Sequence, residues 1–191
     1  HKLQALSGEM ECYFLLNKFD STIITANKIL SFEKIDENTS EKALYLLAKS
    51  LLQNSNSGQA IEEFKKLTNA KNTEYASEAQ YTLAEIQYNN KNLEESEKII
   101  LEITSNPSSE YWLAKAFILW ADIFKQRGNK IQAKQTLQSI IENYEGDESI
   151  IKLAQDKLDE INNKQTQEQK LQEQKLQEQK EAVDEITIEN K

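Results

Sequence analysis

The sequence predicts an all-α protein: a right-handed α-solenoid of about four helix pairs, followed by a capping helix and a polar tail. The 191 residues include only 4 Gly and 1 Pro, which disfavours turn-rich all-β folds and doubly wound sheets. Apolar residues recur at three- and four-residue steps, the spacing of one helix face. Small residues also recur at nearly constant long intervals, as they do in stacked helical repeats.

The clearest helix pair covers residues 111–145. Its first helix carries one apolar stripe, and Gly128 stands where a left-handed C-terminal cap would end that helix. A second apolar stripe follows Gly128 and predicts an antiparallel partner helix. The two stripes are Leu113, Phe117, Trp120, Ala121 and Phe124, then Ile131, Ala133, Leu137, Ile140 and Ile141.

Three earlier pairs are predicted at about residues 3–36, 41–72 and 74–107. Thr39 or Ser40 is expected to cap the second pair. A helix over residues 148–162 has no partner and is expected to cap the array, because the last repeat of a solenoid needs its apolar face covered. Residues 1–162 therefore form one predicted superhelical domain.

Two sets of positions at which small residues are expected keep one register through the four pairs, although the first pair has Met10 and Thr22 there. Both sets recur at steps of 38, 36 and 37 residues. The first-helix set is Met10, Ala48, Ala84 and Ala121, and the second-helix set is Thr22, Ala60, Ser96 and Ala133.

The fourth pair resembles the tetratricopeptide repeat (TPR) pattern W-x2-L-G-x2-Y followed by A-x3-F. It reads Phe117-x2-Trp120-Ala121-x2-Phe124 and Ala133-x3-Leu137. The phrases YLLAKSLL, YTLAEIQY and YWLAKAFILWADIFKQRGNK also resemble the C-terminal repeats of large envelope-associated TPR proteins of Gram-negative bacteria. The resemblance implies a TPR-like scaffold without enzymatic activity. It also implies a periplasmic or outer-membrane-associated location, with the cytoplasm as the alternative.

Composition excludes several classes of function. The net charge of −9 disfavours nucleic acid, whose phosphates require a basic surface. No apolar run is long enough for direct insertion into a membrane. His1 is the only histidine, and Cys12 has no histidine partner and is expected to be buried and inert. We therefore predict no catalytic residues, no metal site and no cofactor.

The predicted binding residues lie on the first helices, at positions that face the concave groove of TPR arrays. They are Tyr45, Lys49, Leu52, Tyr81, Glu85, Tyr88, Lys115, Asp122 and Lys125. Two other interpretations stay open: the tyrosines could pack between repeats, and the charged residues could form a solvated face. Trp112 and Trp120 are expected in the core, since both follow helical apolar spacing.

The predicted function is protein–protein interaction, with a peptide or partner protein held in the concave groove. An accessory subunit of a larger envelope complex, such as outer-membrane assembly or transport, is one alternative, and a structural C-terminal fragment of a longer array is another. Residues 163–191 are rich in Gln, Glu and Lys and predict a tail that is either disordered or an extended helix. A weakly apolar segment, 182–188, lies near its end.

Overall fold

The computed structural model describes the backbone of residues 1–189. It describes the side chains of residues 1–164, 166–167, 169–170 and 173–175. The apolar segment 182–188 therefore lies outside the described side chains. The described backbone forms nine helices and no strand.

Eight of these helices form four consecutive antiparallel pairs, and each pair has a first and a second helix. The first helices are α1 (Lys2–Leu15), α3 (Glu37–Gln53), α5 (Thr73–Asn89) and α7 (Glu110–Gln126). The second helices are α2 (Phe19–Leu30), α4 (Ser57–Leu67), α6 (Leu93–Ser105) and α8 (Lys130–Asn143). A single long helix, α9 (Glu148–Glu189), follows.

Every helix packs against its neighbour in the sequence, and α1–α3, α5–α7 and α7–α9 also touch. The protein is thus an all-α, TPR-like solenoid. Its interior is a row of apolar clusters that joins one pair to the next, with the fully buried Phe64, Ile100 and Leu137 in successive clusters. α9 covers the last pair by placing Ile150, Ala154 and Ile161 in the final cluster.

The turns within the pairs provide a third marker of the repeat register. The chain adopts a positive φ once in each turn, at Asn17 (55°), Ser55 (59°), Lys91 (65°) and Gly128 (82°). These positions again recur at steps of 38, 36 and 37 residues. In each turn the next residue's N–H bonds back to a carbonyl five residues earlier, as Asn129 does to Phe124 at 2.8 Å. This 6→1 bond satisfies a carbonyl that the end of the first helix leaves unpaired.

The structure corrects three local predictions. Asp36, rather than Thr39 or Ser40, caps α3, because its carboxylate accepts the Thr39 N–H at 2.9 Å. Cys12 lies within α1 but is exposed rather than buried. Trp112 is buried as expected, whereas Trp120 is only partly buried.

The reason for the last correction is the orientation of α7. Its most buried side chains include Ala116, Leu119 and Ile123, which lie about 100° or more around the helix from Phe117. Of the predicted stripe, Ala121 is buried, whereas the large residues Leu113, Phe117, Trp120 and Phe124 are only partly buried. Spacing alone identifies an amphipathic helix, but neighbouring helices decide which face they cover.

Candidate functional site

The nine predicted binding residues all lie on α3, α5 and α7. We call the region that contains them, with the neighbouring part of α9, the first-helix surface; Tyr81 is buried within it. The structure gives different surroundings to its two ends and its centre.

At the α3–α5 end, the polar groups bind one another across the two repeats. Tyr45 Oη donates to Glu78 Oε2 at 2.5 Å, and Lys49 Nζ donates to Glu78 Oε1 at 2.7 Å. Tyr45 also stacks on Tyr75 with a ring-centroid distance of 4.3 Å. Burial, followed by the Glu78 carboxylate, raises the pKa of Tyr45 well above its usual range. Leu52 packs against the core, so this end of the surface joins repeats two and three.

At the other end, α9 supplies the partners. Lys157 Nζ donates to both carboxylate oxygens of Asp122, at 2.7 and 2.9 Å. Lys125 Nζ donates to Glu160 Oε2 at 2.8 Å, and Lys164 Nζ donates to Glu160 Oε1 at the same distance. These hydrogen bonds, with that from Lys125 the strongest, lower the pKa of Glu160 to about 2. The capping helix therefore occupies two of the predicted binding residues, Asp122 and Lys125.

The centre of the surface is built around Lys115. Its Nζ lies 4.4 Å from the ring centroid of Tyr81, 4.8 Å from that of Trp112 and 5.9 Å from that of Tyr111. A cation above aromatic faces is attracted by the ring quadrupole, but this attraction leaves its positive charge uncompensated. No carboxylate of the described residues lies within ion-pair distance of Lys115 Nζ. Lys115 is thus the cation of this surface that an incoming anionic group could neutralise.

Glu85 and Tyr88 complete the centre. Glu85 Oε1 accepts a 2.7 Å hydrogen bond from Tyr81 Oη, and among the described residues no cation pairs with Glu85. Tyr88 is partly buried, and no described hydrogen bond involves its hydroxyl. Burial, followed by the Asp122 carboxylate, raises the pKa of Tyr88. The centre thus has one cation, one anion and one phenol that can bind another molecule.

A comparison with protein families supports this interpretation of the fold. Residues 110–146 match the family model described as tetratricopeptide repeat. This segment is therefore a tetratricopeptide repeat. The matched segment is the α7–α8 pair, and no curated protein matches the chain.

Tetratricopeptide repeats are typically non-catalytic protein-interaction modules, so the match suggests such a role for the α7–α8 pair. No helix in the described part of the chain is long and apolar enough to cross a bilayer. The same described residues contain no cluster of three or more metal-ligating His, Cys, Asp or Glu side chains.

The sequence analysis did not identify several residues that shape the first-helix surface. Glu78 is three residues before Tyr81, so helical spacing could have placed it on the same face. Lys157 and Glu160 each follow their α7 partners by 35 residues, close to one repeat length. That step could have indicated that α9 takes the position of a further first helix.

Proposed function

We propose that the chain is a non-enzymatic scaffold that binds an extended or helical segment of a partner protein along the first-helix surface. The centre of that surface, Lys115, Glu85 and Tyr88, would make the decisive contacts. A carboxylate of the partner would approach Lys115, and a basic or hydrogen-bond-donating group would approach Glu85. Main-chain and phenol contacts at Tyr88 would fix the register of the bound segment.

The observation that carries this proposal is the contrast between the centre and the ends. Lys49, Asp122 and Lys125 are held by intramolecular ion pairs, so a partner would have to break those pairs to use them. Lys115 lies over three aromatic rings and has no ion pair among the described residues, so a charge-assisted hydrogen bond to it would replace no existing ion pair. A partner therefore gains the most binding free energy from contacts at the centre of the first-helix surface.

Peptide display tests the proposal. A library of random peptides would be selected on the full chain, and individual peptides would then be measured by fluorescence anisotropy against Lys115→Ala and Tyr88→Ala. We expect selected peptides to contain an acidic residue near a basic or amide one. We also expect about tenfold weaker binding to each variant, which corresponds to the loss of about 1.4 kcal/mol.

Lys152→Ala is the matched control, because Lys152 is an exposed lysine of α9 outside the surface. It should leave peptide binding unchanged. Circular dichroism melts should show that both test variants keep the helical fold. Selected peptides that bind Lys115→Ala and Tyr88→Ala as tightly as the original chain would contradict the proposal.

We propose that this binding serves a bacterial envelope complex, with the chain as an accessory subunit in the periplasm or at the outer membrane. The support is the resemblance of the repeat phrases to those of envelope-associated TPR proteins. The location can be tested by fractionating cells that express the tagged chain. The readout is the amount of the chain in the periplasmic fraction released by osmotic shock. Recovery of the protein only with cytoplasmic markers would refute it.

A structural role within a longer array is a second candidate. Three large apolar side chains of the first pair are widely exposed: Leu15 (79%), Leu16 (63%) and Ile24 (69%). Such residues could stack on another repeat. If they do, sedimentation velocity should detect self-association of the chain that Leu16→Ser and Ile24→Ser together abolish; a monomer at all concentrations would speak against stacking.

A further inference from the structure

A second concave feature lies on the other side of α7. It is a groove of about 750 Å³ between α7 and α8, which we call the α7–α8 groove. Its floor includes Phe117, Trp120 and Phe124, which are all partly buried. On α7, Phe117 comes two positions after Lys115, and Phe124 comes two positions after Asp122. Lys115 and Asp122 belong to the first-helix surface, and two positions correspond to about 200° around a helix. The groove and the first-helix surface therefore face in different directions.

The floor of the groove is a continuous aromatic platform. The rings of Phe117 and Trp120 are near-parallel, with centroids 6.1 Å apart, and those of Trp120 and Phe124 are 5.5 Å apart. Trp120 is fixed in place because its Nε1 donates to Glu97 Oε1 at 2.9 Å. Glu97 also accepts from Arg127 at 2.6 Å. A rigid apolar platform loses little conformational entropy when another apolar surface covers it.

The solenoid itself does not require aromatic residues at these positions. One repeat earlier, the residues in register with Phe117 and Phe124 are Gln80 and Gln87. Both belong to a helix pair with the same fold. Trp120 corresponds to Leu83, which is buried in the preceding pair. Within this chain the aromatic platform therefore distinguishes the fourth pair, in which aromatic residues fill the W and Y positions of the TPR pattern.

The polar lining of the groove determines the chemistry of its occupant. Along α8 the groove is bordered by neutral amides and hydroxyls, including Gln132, Gln135 and Ser139. Glu110 and Glu145 lie together at one end, both exposed and without an ion-pair partner among the described residues. Among the described residues, no lysine or arginine lines the groove. Its potential is therefore negative at that end and neutral elsewhere.

We propose that the α7–α8 groove is a second interaction surface, and that its occupant is a basic amphipathic helix of a partner protein. Apolar side chains at helical spacing would cover Phe117, Trp120 and Phe124, and lysine or arginine would pair with Glu110 and Glu145. A second copy of this acidic chain fits less well, because its net charge of −9 would oppose the two carboxylates. The volume of about 750 Å³ accommodates a few large apolar side chains.

The test uses two labelled synthetic helical peptides that share leucine and phenylalanine on one face. One carries lysines on the polar face and the other carries glutamates. Fluorescence anisotropy against the full chain should show binding of the lysine peptide and at least about tenfold weaker binding of the glutamate peptide. Phe124→Ala should abolish binding of the lysine peptide, and Glu110→Lys with Glu145→Lys should weaken it about tenfold.

Glu142→Lys is the matched control, because Glu142 is an exposed carboxylate of α8 that does not line the groove. It changes the net charge in the same direction and should affect binding less than threefold. The charge-reversed variant replaces only exposed side chains, so it should fold even if Phe124→Ala does not. Equal binding of both peptides, or equal effects of the Glu142 and Glu110/Glu145 reversals, would overturn the proposal. The proposal would also be overturned if sedimentation velocity showed a dimer that Phe124→Ala disrupts, because a second copy of the chain would then occupy the groove.

Discussion

The ion pair between Lys49 and Glu78 should stabilise the array, rather than serve as a binding contact. Lys49→Met and Glu78→Gln remove its two charges, and the glutamine can still accept the hydrogen bond of Tyr45. Each substitution should lower the free energy of unfolding. The informative quantity is the coupling energy from the double-mutant cycle, because the cycle isolates the pairwise interaction from the other effects of each substitution.

The magnitude follows from distance and burial. Lys49 Nζ lies 2.7 Å from Glu78 Oε1, and the two side chains are 32% and 14% exposed. A charge-assisted hydrogen bond of this kind contributes about 1.5 kcal/mol when it is largely shielded from water. The pair between Lys65 and Glu62 has a similar distance, 2.9 Å, but its side chains are 59% and 66% exposed. For that exposed pair the expected coupling is only about 0.3 kcal/mol.

Urea unfolding followed by circular dichroism measures both cycles on the full chain. The slope of the free energy with urea should not differ among variants, so that midpoint shifts report stability alone. We expect the Lys49–Glu78 coupling to exceed the Lys65–Glu62 coupling by about 1 kcal/mol. Equal couplings would refute the conclusion that burial makes this pair a joint between repeats, and would leave Lys49 available for a partner.

Three further predictions concern stability. Lys91 and Gly128 both have positive φ, a conformation that favours glycine. Lys91→Gly should therefore stabilise the fold by about 0.5–1 kcal/mol, and Gly128→Ala should destabilise it by about 1 kcal/mol. The midpoints of urea unfolding measure both effects. Since the pKa of Glu160 falls from 4.5 to about 2 on folding, its contribution is complete above about pH 4.5 and is lost as the pH falls towards 2. Because its side chain is 45% exposed, Glu160→Gln should cost only about 1 kcal/mol at pH 7 and much less near pH 2, as thermal melts at the two pH values would show. Phe64→Ala should cost about 3–5 kcal/mol in urea unfolding, because Phe64 is only 1% exposed and its removal leaves a cavity.

The register of the repeats could be predicted from the sequence because its determinants are local. A helix needs apolar residues at helical spacing, and close helix packing needs small residues such as Ala48, Ala84 and Ala121 at one position. A tight turn favours glycine where φ is positive, and Gly128 marked that position correctly. Asn17, Ser55 and Lys91 occupy the same position without being glycine, so only the structure revealed them.

The candidate site could be predicted only in part. The sequence placed nine residues on the first helices, and the structure has all nine there. It did not reveal that Glu78 binds Tyr45 and Lys49, or that α9 supplies Lys157 and Glu160 to α7. These contacts join residues about one repeat apart, and their existence depends on how neighbouring helices are rotated and spaced.

The sequence by itself determined the all-α fold class, the array of four helix pairs and the residue types on each helix. These features depend on hydrophobic periodicity and on the positions of small and turn-forming residues. Only the tertiary structure decided which polar groups are already satisfied and which side of α7 remains uncovered. Lys115 and Asp122 are equally polar in the sequence, yet one has aromatic neighbours and the other an ion pair. The physical reason is that pairing and burial depend on helices distant in sequence, whose approach is set by packing and not by local propensity.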